Sequence, residues 1–545
     1  MVVATKSASE LAPVYDAVVI GSGYGGGVAA SRLSRMGYQV AVLEQGRPWQ
    51  PGEFPTTIKA RCMATRISGR HVRLGDPTGL FRLTVGNGLT VLSATGMGGG
   101  SLINAGVVRR PDPQRLREAG WPDAVLDDGR FEKGLDRAEK MLGAAPLPVP
   151  ERFAKFAGMQ RAATAVGATA QLPSITIAHR SGPNPAGVYQ NECQYCGDCW
   201  SGCNAGAKNT VGITYIADAV HHGAEVFCRS RVEAIARAGN DWEITVKDLS
   251  GTGGSNRIAA GILVLAAGTL GTTELLLRAQ SRGLALSGML GRKFSANGDD
   301  MVIAAELEEP VNAIATGYPP RAPQGAPVVG PHSIAMIDLR DESGSVMMVQ
   351  DGAMPTMMAA LAPVKALMER RFGRALELFR GGIYCDALNK TQVYYIVGHD
   401  DAGGRLALHK DRITIDWPEY SNSARRVAAE EKVKAMIEEV GGVFQTNPFN
   451  LAVFGGNRVI AHPLGGCALA ESADKGVVAP DGRVFDPGKG PEGVHEGLYV
   501  CDGALVPSAL GVSPLLTIAA LAERTMMLAA DRLGRKLDVL SSPGR

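Results

Sequence analysis

The feature that most constrains this chain is a glycine cluster, Gly21-Ser22-Gly23-Tyr24-Gly25-Gly26. It lies between an apolar β-rich run (residues 15–20) and a stretch with helical spacing (28–36). The cluster has the form G-x-G-x-x-G, and a second β-branched run (39–43) completes a βαβ unit of about 30 residues. Each glycine has its own duty. Gly21 permits a tight turn, Gly23 lets backbone approach a pyrophosphate, and Gly26 lets helix pack on strand. The helix N-terminus offers free N–H groups and the positive end of a dipole to phosphates. Glu44 ends the second strand about 20 residues on, placed to accept hydrogen bonds from ribose hydroxyls and to disfavour a 2′-phosphate. A glycine turn without a ligand is the plainer alternative, but strand, helix and acid are all in place for a dinucleotide. The motif alone does not separate FAD from NAD.

The 545 residues, 45% of them hydrophobic, suffice for two or three domains with buried cores. A formal net charge of +2 points neither to nucleic acid nor to anionic lipid, and 6% aromatics argue against a base-stacking surface. The segment before Gly21 lacks a basic-then-apolar leader, and no apolar run reaches the ~18–20 residues that span a bilayer. A soluble cytoplasmic protein is therefore expected. In that compartment the nine cysteines read as thiols or metal ligands rather than disulfides.

Along the chain, a second glycine-rich stretch stands at 96–101, and helical patterning runs to about 142 before the Pro-rich AAPLPVPE. Residues 206–223 read as helical, 225–235 and 242–246 as strands of a small sheet, and 262–267 as a buried strand. From 300 to 450, strands (392–397, 412–416) mix with helices (359–378, 424–439), after which strand, turn and helix resume. The expected fold is α/β: a doubly wound dinucleotide domain carrying an inserted α+β substrate domain with an antiparallel sheet. The expected division is 1–142, 205–300 and 455–545 for the nucleotide domain. Residues 143–204, with a cysteine loop, and 301–454 go to the substrate domain.

Three further blocks select the nucleotide. Gly96-Met97-Gly98-Gly99-Gly100-Ser101-Leu102-Ile103-Asn104 is similar to the second glycine motif of the glucose–methanol–choline (GMC) oxidoreductases. Residues 265–277, LAAGTLGTTELLL, resemble their later signature. His462-Pro463-Leu464-Gly465-Gly466, Leu498–Gly503 and Gly511-Val512-Ser513-Pro514 resemble their catalytic, flavin-closing end. The wording, with Asn297-Gly298-Asp299, is nearest the bacterial cholesterol-oxidase branch. The resemblance implies FAD, with Gly99, Asn104 and Val107 along the flavin and the Val232 backbone at the adenine. Asp502 and Gly503 would stand at the ribityl–pyrophosphate side. Runs of glycine suit this because no Cβ keeps backbone from the ring. Residues 300–450 match weakly, so substrate identity does not transfer.

By the same resemblance His462 is the base that takes a hydroxyl proton while hydride passes to flavin. Imidazole, with an ordinary pKa near ~6.5, suits that task. A histidine merely bonded to backbone is the alternative. Ser513 departs from the pattern, since the family usually has Asn or His there. One short hydroxyl can donate one hydrogen bond, reach substrate through water, or simply pack. The carboxylate used by sterol oxidases has no clear counterpart in Asp351 or Glu369, and His399 reads as a strand-end or turn residue.

Cys193-x2-Cys196-x2-Cys199-x3-Cys203 matches the bacterial ferredoxin spacing, with Gly197, Gly202 and Gly206 able to curl the loop around a cluster. Asn204 stands where ferredoxins place proline. An iron–sulfur cluster is expected, with zinc or a metal-free loop as alternatives. The Met-rich stretch 346–368 reads either as an apolar lid or as packed core. The expected protein is an FAD-dependent dehydrogenase that oxidises a secondary alcohol on a bulky apolar substrate, with electrons leaving through the cluster to an external acceptor. A flavin reductase or isomerase of an activated double bond, and an electron-transfer flavin/iron–sulfur subunit, are the alternatives.

Overall fold

The computed structural model describes residues 3–251, 253–319, 328–340, 346–450 and 456–538. Its largest sheet has a parallel core of strands Val14–Ile20, Val40–Leu43, Glu225–Phe227, Ser255–Leu265 and Val494–Val500. Numbered by sequence, these five lie in the order 3-2-1-4-5, the doubly wound arrangement, with the strand order reversing between Val14–Ile20 and Ser255–Leu265. The central strands are continuously apolar because helices cover both faces. Helix Tyr24–Arg35 packs on helices Tyr215–His221 and Leu515–Arg532, and the last of these packs on Arg130–Met141.

Sequence patterning misplaced two strand boundaries. The run 225–235 is two elements: Glu225–Phe227 extends the parallel core, while Ser230–Ala238 pairs antiparallel with Asp241–Asp248. Both belong to the main sheet rather than to a small separate one. Arg229, at φ 55°, makes the break that periodicity could not reveal. Of residues 206–223 only Tyr215–His221 is α-helical.

A six-stranded antiparallel sheet forms the second layer, in the order Val443–Thr446, Asp300–Ala305, Gln392–Val397, Val346–Gly352, Met336–Arg340, Ala170–Gln171. Helices Ala154–Ala165 and Ala424–Glu439 close one of its faces through Met159, Ala162, Val433 and Met436. The other face carries helices Thr356–Met368 and Phe372–Gly381. These two were expected as one helix, and Arg370, at φ 59°, breaks it. Most of the Met-rich stretch is packed core: Met348, Met354 and Met358 are buried. A mixed five-stranded sheet, in which Arg458–Ile460 runs parallel to Leu89–Ala94, lies beside the parallel core. No helix is long and apolar enough to cross a membrane among the described residues.

Candidate active site

A cavity of about 980 Å³ opens where the main sheet reverses its order and runs beneath the antiparallel sheet. Gly21, Gly23, Glu44, Gly99, Asn104, Val107, Val232, Asp502, Gly503, His462 and Ser513 all border it. Gly26 does not: a Cβ there would stand 1.9 Å from the Gly21 carbonyl oxygen, so its role is packing helix on strand. The four cysteines stand outside the lining, although Trp200 and Ser201 of their loop are in it.

The nucleotide end is made of backbone. Helix Tyr24–Arg35 begins here with no side chain capping its first N–H groups, which leaves them for a ligand. A Cβ on Gly99, which has φ 54°, would stand 2.8 Å from the Cα of Gly23, so the two glycine turns can abut only without side chains. Val232 sits at a β-bulge, where the ladder shifts between Val232 and Ala234 and re-aims the backbone at the cavity. Glu44 is buried and already shared: it accepts from the Ser22 hydroxyl at 2.5 Å and the Gly46 N–H at 2.8 Å. It therefore shapes the glycine loop as well as bordering the ribose position. Asn104 donates to the Tyr24 phenol at 2.7 Å, while its buried side-chain amide oxygen, Oδ1, has no partner among the described residues.

Asp502 accepts from the Gly268 N–H (2.8 Å), the Ala504 N–H (2.9 Å) and the Thr272 hydroxyl; burial pushes its carboxyl up to about 6 despite these bonds. Positive charge gathers on the adjoining sheet. Arg66 borders the cavity, and burial, then the charges of Arg82, Arg73 and Arg231, lower it to about 10. Uncapped N–H groups, an orphan acceptor, side-chain-free turns and crowded guanidiniums fit a dinucleotide dianion bearing a flavin.

The other end is made of side chains on a rigid floor. Gln350, Tyr395 and Met301 stand in register on three neighbouring strands, and all three border the cavity. The Tyr395 phenol is buried without a hydrogen-bond partner among the described residues. Trp200 packs on Tyr395 (ring centroids 4.7 Å apart) and stacks on His332 at 5.2 Å. Pro355, Met357 and Phe449 complete an apolar, aromatic wall.

His462 is quarter-exposed and held by Asp299, whose Oδ1 is 3.4 Å from Nδ1 and whose Oδ2 accepts the His462 N–H at 3.2 Å. Nδ1 thus stands beside the carboxylate, with no hydrogen bond completed to it among the described residues. Asp299 follows an Asn-Gly turn in which Asn297 (φ 59°) and Gly298 (φ 57°) are both left-handed. The Asn297 amide donates to the Val512 carbonyl at 2.9 Å and accepts the Leu510 N–H at 2.7 Å, which fixes the loop carrying Ser513. One turn thus positions both His462 and Ser513. The Ser513 hydroxyl in turn accepts from Gln350 Nε2 at 2.9 Å. Sequence reasoning quoted Asn297-Gly298-Asp299 only as resemblance and passed over Gln350, which carries no motif.

All nine cysteines are free thiols. Among the described residues no three His, Cys, Asp or Glu side chains are arranged to hold one metal ion, so a single-ion zinc site is not formed. Burial nevertheless raises the thiols of Cys193, Cys196 and Cys199, and neighbouring thiols add to this at Cys193 and Cys196. Two of the four meet a backbone N–H: Tyr195 at 3.4 Å from Cys193 and Ala207 at 3.3 Å from Cys203. Lys208, buried, donates to the carbonyls of Cys199 (2.8 Å), Leu102 (2.8 Å) and Asn104 (3.0 Å), tying this loop to the second glycine motif. Sequence reasoning missed Lys208; its signal was a lone lysine in an otherwise apolar stretch.

Comparison with known proteins agrees with this geometry. The chain is 28% identical to a cholesterol oxidase of Mycobacterium tuberculosis, over 95% of this chain and 91% of that one. It is 27% identical to a cholesterol oxidase of Acinetobacter baumannii, over 94% of each. It is also 27% identical to the long-chain-alcohol oxidase FAO4B of Arabidopsis thaliana, over 96% of this chain and 68% of that one. A fungal aryl-alcohol oxidase shares the fold with a TM-score of 0.61 at 13% identity, covering 96% of this chain and 100% of that one. So does pyridoxine 4-oxidase, with a TM-score of 0.56 at 17% identity, covering 94% and 98%. The GMC oxidoreductase family profiles match residues 15–293 and 418–522, which include the glycine turns, Glu44, His462, Asp502 and Ser513 but not the strands that carry Met301, Gln350 and Tyr395. The chain belongs to the GMC oxidoreductases and is an FAD-dependent enzyme.

Proposed function

We propose that the protein oxidises a secondary alcohol on a bulky apolar substrate of the sterol or terpenoid class. The observation that carries this reading is the His462–Asp299 pair, which faces an apolar and aromatic floor across the flavin end of the cavity. Bound FAD supplies the hydride acceptor. His462 takes the hydroxyl proton, and the Asp299 carboxylate, 3.4 Å from Nδ1, faces the charge that forms. Tyr395 and Trp200 exclude water and meet the hydrocarbon face of the substrate. The relatives named as cholesterol and long-chain-alcohol oxidases support an apolar alcohol.

Isomerisation through a carboxylate finds little support in this cavity. Of the acids at the substrate end, Asp299 serves His462, and Asp300 is paired with Arg426 (3.1 Å) and Arg458 (3.4 Å). The reading extends to the cysteine loop, where Cys193, Cys196, Cys199 and Cys203 would hold one iron–sulfur cluster that would supply one-electron transfer to an external acceptor. The ferredoxin spacing and the backbone N–H groups that meet Cys193 and Cys203 support it. A panel of primary and secondary alcohols, short-chain and polycyclic, tests the substrate class; turnover confined to short primary alcohols would contradict it. Iron and acid-labile sulfide analysis of the purified protein tests the cluster, and flavin bands with no iron would remove it.

A further inference from the structure

We propose that helices Thr356–Met368 and Phe372–Gly381 form a docking face that lays the protein on an anionic lipid surface. Six large apolar side chains on them stand in solvent: Val364 (44% exposed), Leu367, Met368, Phe372 (66%), Leu376 and Phe379 (58%). Val364, Leu367 and Met368 fall at i, i+3, i+4, and Phe372, Leu376 and Phe379 at i, i+4, i+7, so each helix shows one apolar stripe. The opposite stripes, with Met358, Ala359 and Ala366 on the first helix and Ala375 and Leu378 on the second, are buried over the antiparallel sheet. The two helices pack on each other and share one sheet face, so their outer stripes look the same way. Apolar residues scattered singly on a surface call for no partner, whereas six gathered within residues 364–379 do.

Charge says what covers the face. Residues 356–384 carry Lys365, Arg370, Arg371, Arg374 and Arg380 against only Glu369 and Glu377. Both acids are taken, Glu369 by Lys365 at 2.5 Å and Glu377 by Arg374 at 2.9 Å, while Arg371 pairs with Glu306. Arg370 and Arg380 are exposed and have no ion pair or hydrogen bond among the described residues. An apolar stripe edged by unpaired guanidiniums complements hydrocarbon beneath anionic headgroups. A second copy fits less well, because a twofold contact through this face would set Arg370 and Arg380 against an equally cationic surface. The chain's net charge of +2 hides this local surplus.

Position gives the face a use. Pro355 and Met357, at the start of the first helix, border the apolar end of the cavity together with Tyr395 and Phe449. One helix thus meets the cavity with its first turn and the lipid with its last turns. An apolar alcohol dissolved in the bilayer is delivered beside the cavity, a consequence that rests on the substrate reading above, whereas the docking itself does not. Both helices lie outside residues 15–293 and 418–522, so the face belongs to this chain rather than to what the family profiles describe.

The test is co-sedimentation of the holoenzyme with vesicles of phosphatidylcholine alone and of phosphatidylcholine mixed with phosphatidylglycerol, with no alcohol present. Binding to the mixed vesicles should be about tenfold tighter and should weaken as salt is added. Phe372→Ser combined with Phe379→Ser should weaken it by about 10²-fold. Arg370→Gln combined with Arg380→Gln should erase the preference for the anionic lipid. FAD content, melting temperature and turnover of a detergent-solubilised alcohol should stay at wild-type values in both pairs. A wild type that sediments with neither vesicle, or binding that the phenylalanine pair leaves unchanged, would overturn the proposal. So would a wild-type dimer in analytical ultracentrifugation that the phenylalanine pair dissociates, which would give the face to a second copy. Sedimentation with vesicles by an enzyme that oxidises no apolar alcohol would support the docking and defeat the substrate reading alone.

Discussion

The two ends of the cavity are built by opposite means. At the nucleotide end the site is backbone: uncapped N–H groups, abutting glycine turns and a bulge at Val232. At the substrate end it is side chains, with Gln350, Tyr395 and Met301 standing in one row across three strands and His462 and Ser513 fixed by the Asn297–Asp299 turn. A backbone site tolerates almost no change of shape but makes few demands on charge. A side-chain site tolerates substitution of its walls but depends on a few hydrogen-bonded residues. The difference teaches where variation can enter: the nucleotide end carries the stretches that the family profiles match, and the floor of the sheet lies outside them.

The largest effect should come from the backbone end. Gly25→Ala places a Cβ 1.4 Å from the Cys501 carbonyl oxygen, backbone against backbone, with no side chain able to yield. The cost should exceed about 4 kcal/mol, and the expected result is loss of soluble, yellow protein. Soluble variant with full FAD content would break the comparison.

At the other end, His462→Gln should leave melting temperature and FAD content unchanged while flavin reduction by alcohol falls about 10²- to 10⁴-fold. A comparable fall in FAD content would mean that this end, too, is architectural.

The floor beneath the substrate has its own anchor in the fully buried Lys155–Asp351 pair. Lys155→Met strands a carboxylate in the interior and should destabilise the protein by about 3–5 kcal/mol, seen in chemical denaturation. A shift within about 0.5 kcal/mol would show that the floor does not depend on it.

The smallest effect is a pH dependence at the nucleotide end. The Asp502 carboxyl stands at about 6 in the fold against an ordinary 3.8, so the folded state binds the proton more tightly than the unfolded chain. Its contribution to stability is therefore fullest at acid pH and is lost as pH rises from about 4 through about 6. In FAD-free protein, Asp502→Asn should gain on wild type by roughly 3 kcal/mol across that window. A gap independent of pH would place the carboxyl in an ordinary environment.

Legibility in the sequence followed the same division. Gly21, Gly23 and Glu44 could be placed on a strand–turn–helix because backbone geometry demands particular residues at fixed spacing. The doubly wound order followed from that unit. Gln350 could not be found, because it matters through register with Tyr395 across strands far apart in sequence. Asp299 was visible as part of an Asn-Gly turn, yet its partner lies 163 residues away. Helix and strand breaks at Arg370 and Arg229 were also hidden, since a left-handed arginine has no signature in an apolar period. The cysteine spacing was plain to read, and the fold adds N–H groups that meet two of its thiols, Cys193 and Cys203.

The account's central claim is that flavin lies between the glycine turns and His462, with an apolar alcohol delivered from the sheet floor. Anaerobic mixing of the yellow holoenzyme with a polycyclic secondary alcohol tests it most directly. The account predicts bleaching of the flavin in wild type and its near-absence in His462→Gln. Bleaching at equal rates in both, or by dithionite but by no alcohol in wild type, would contradict it.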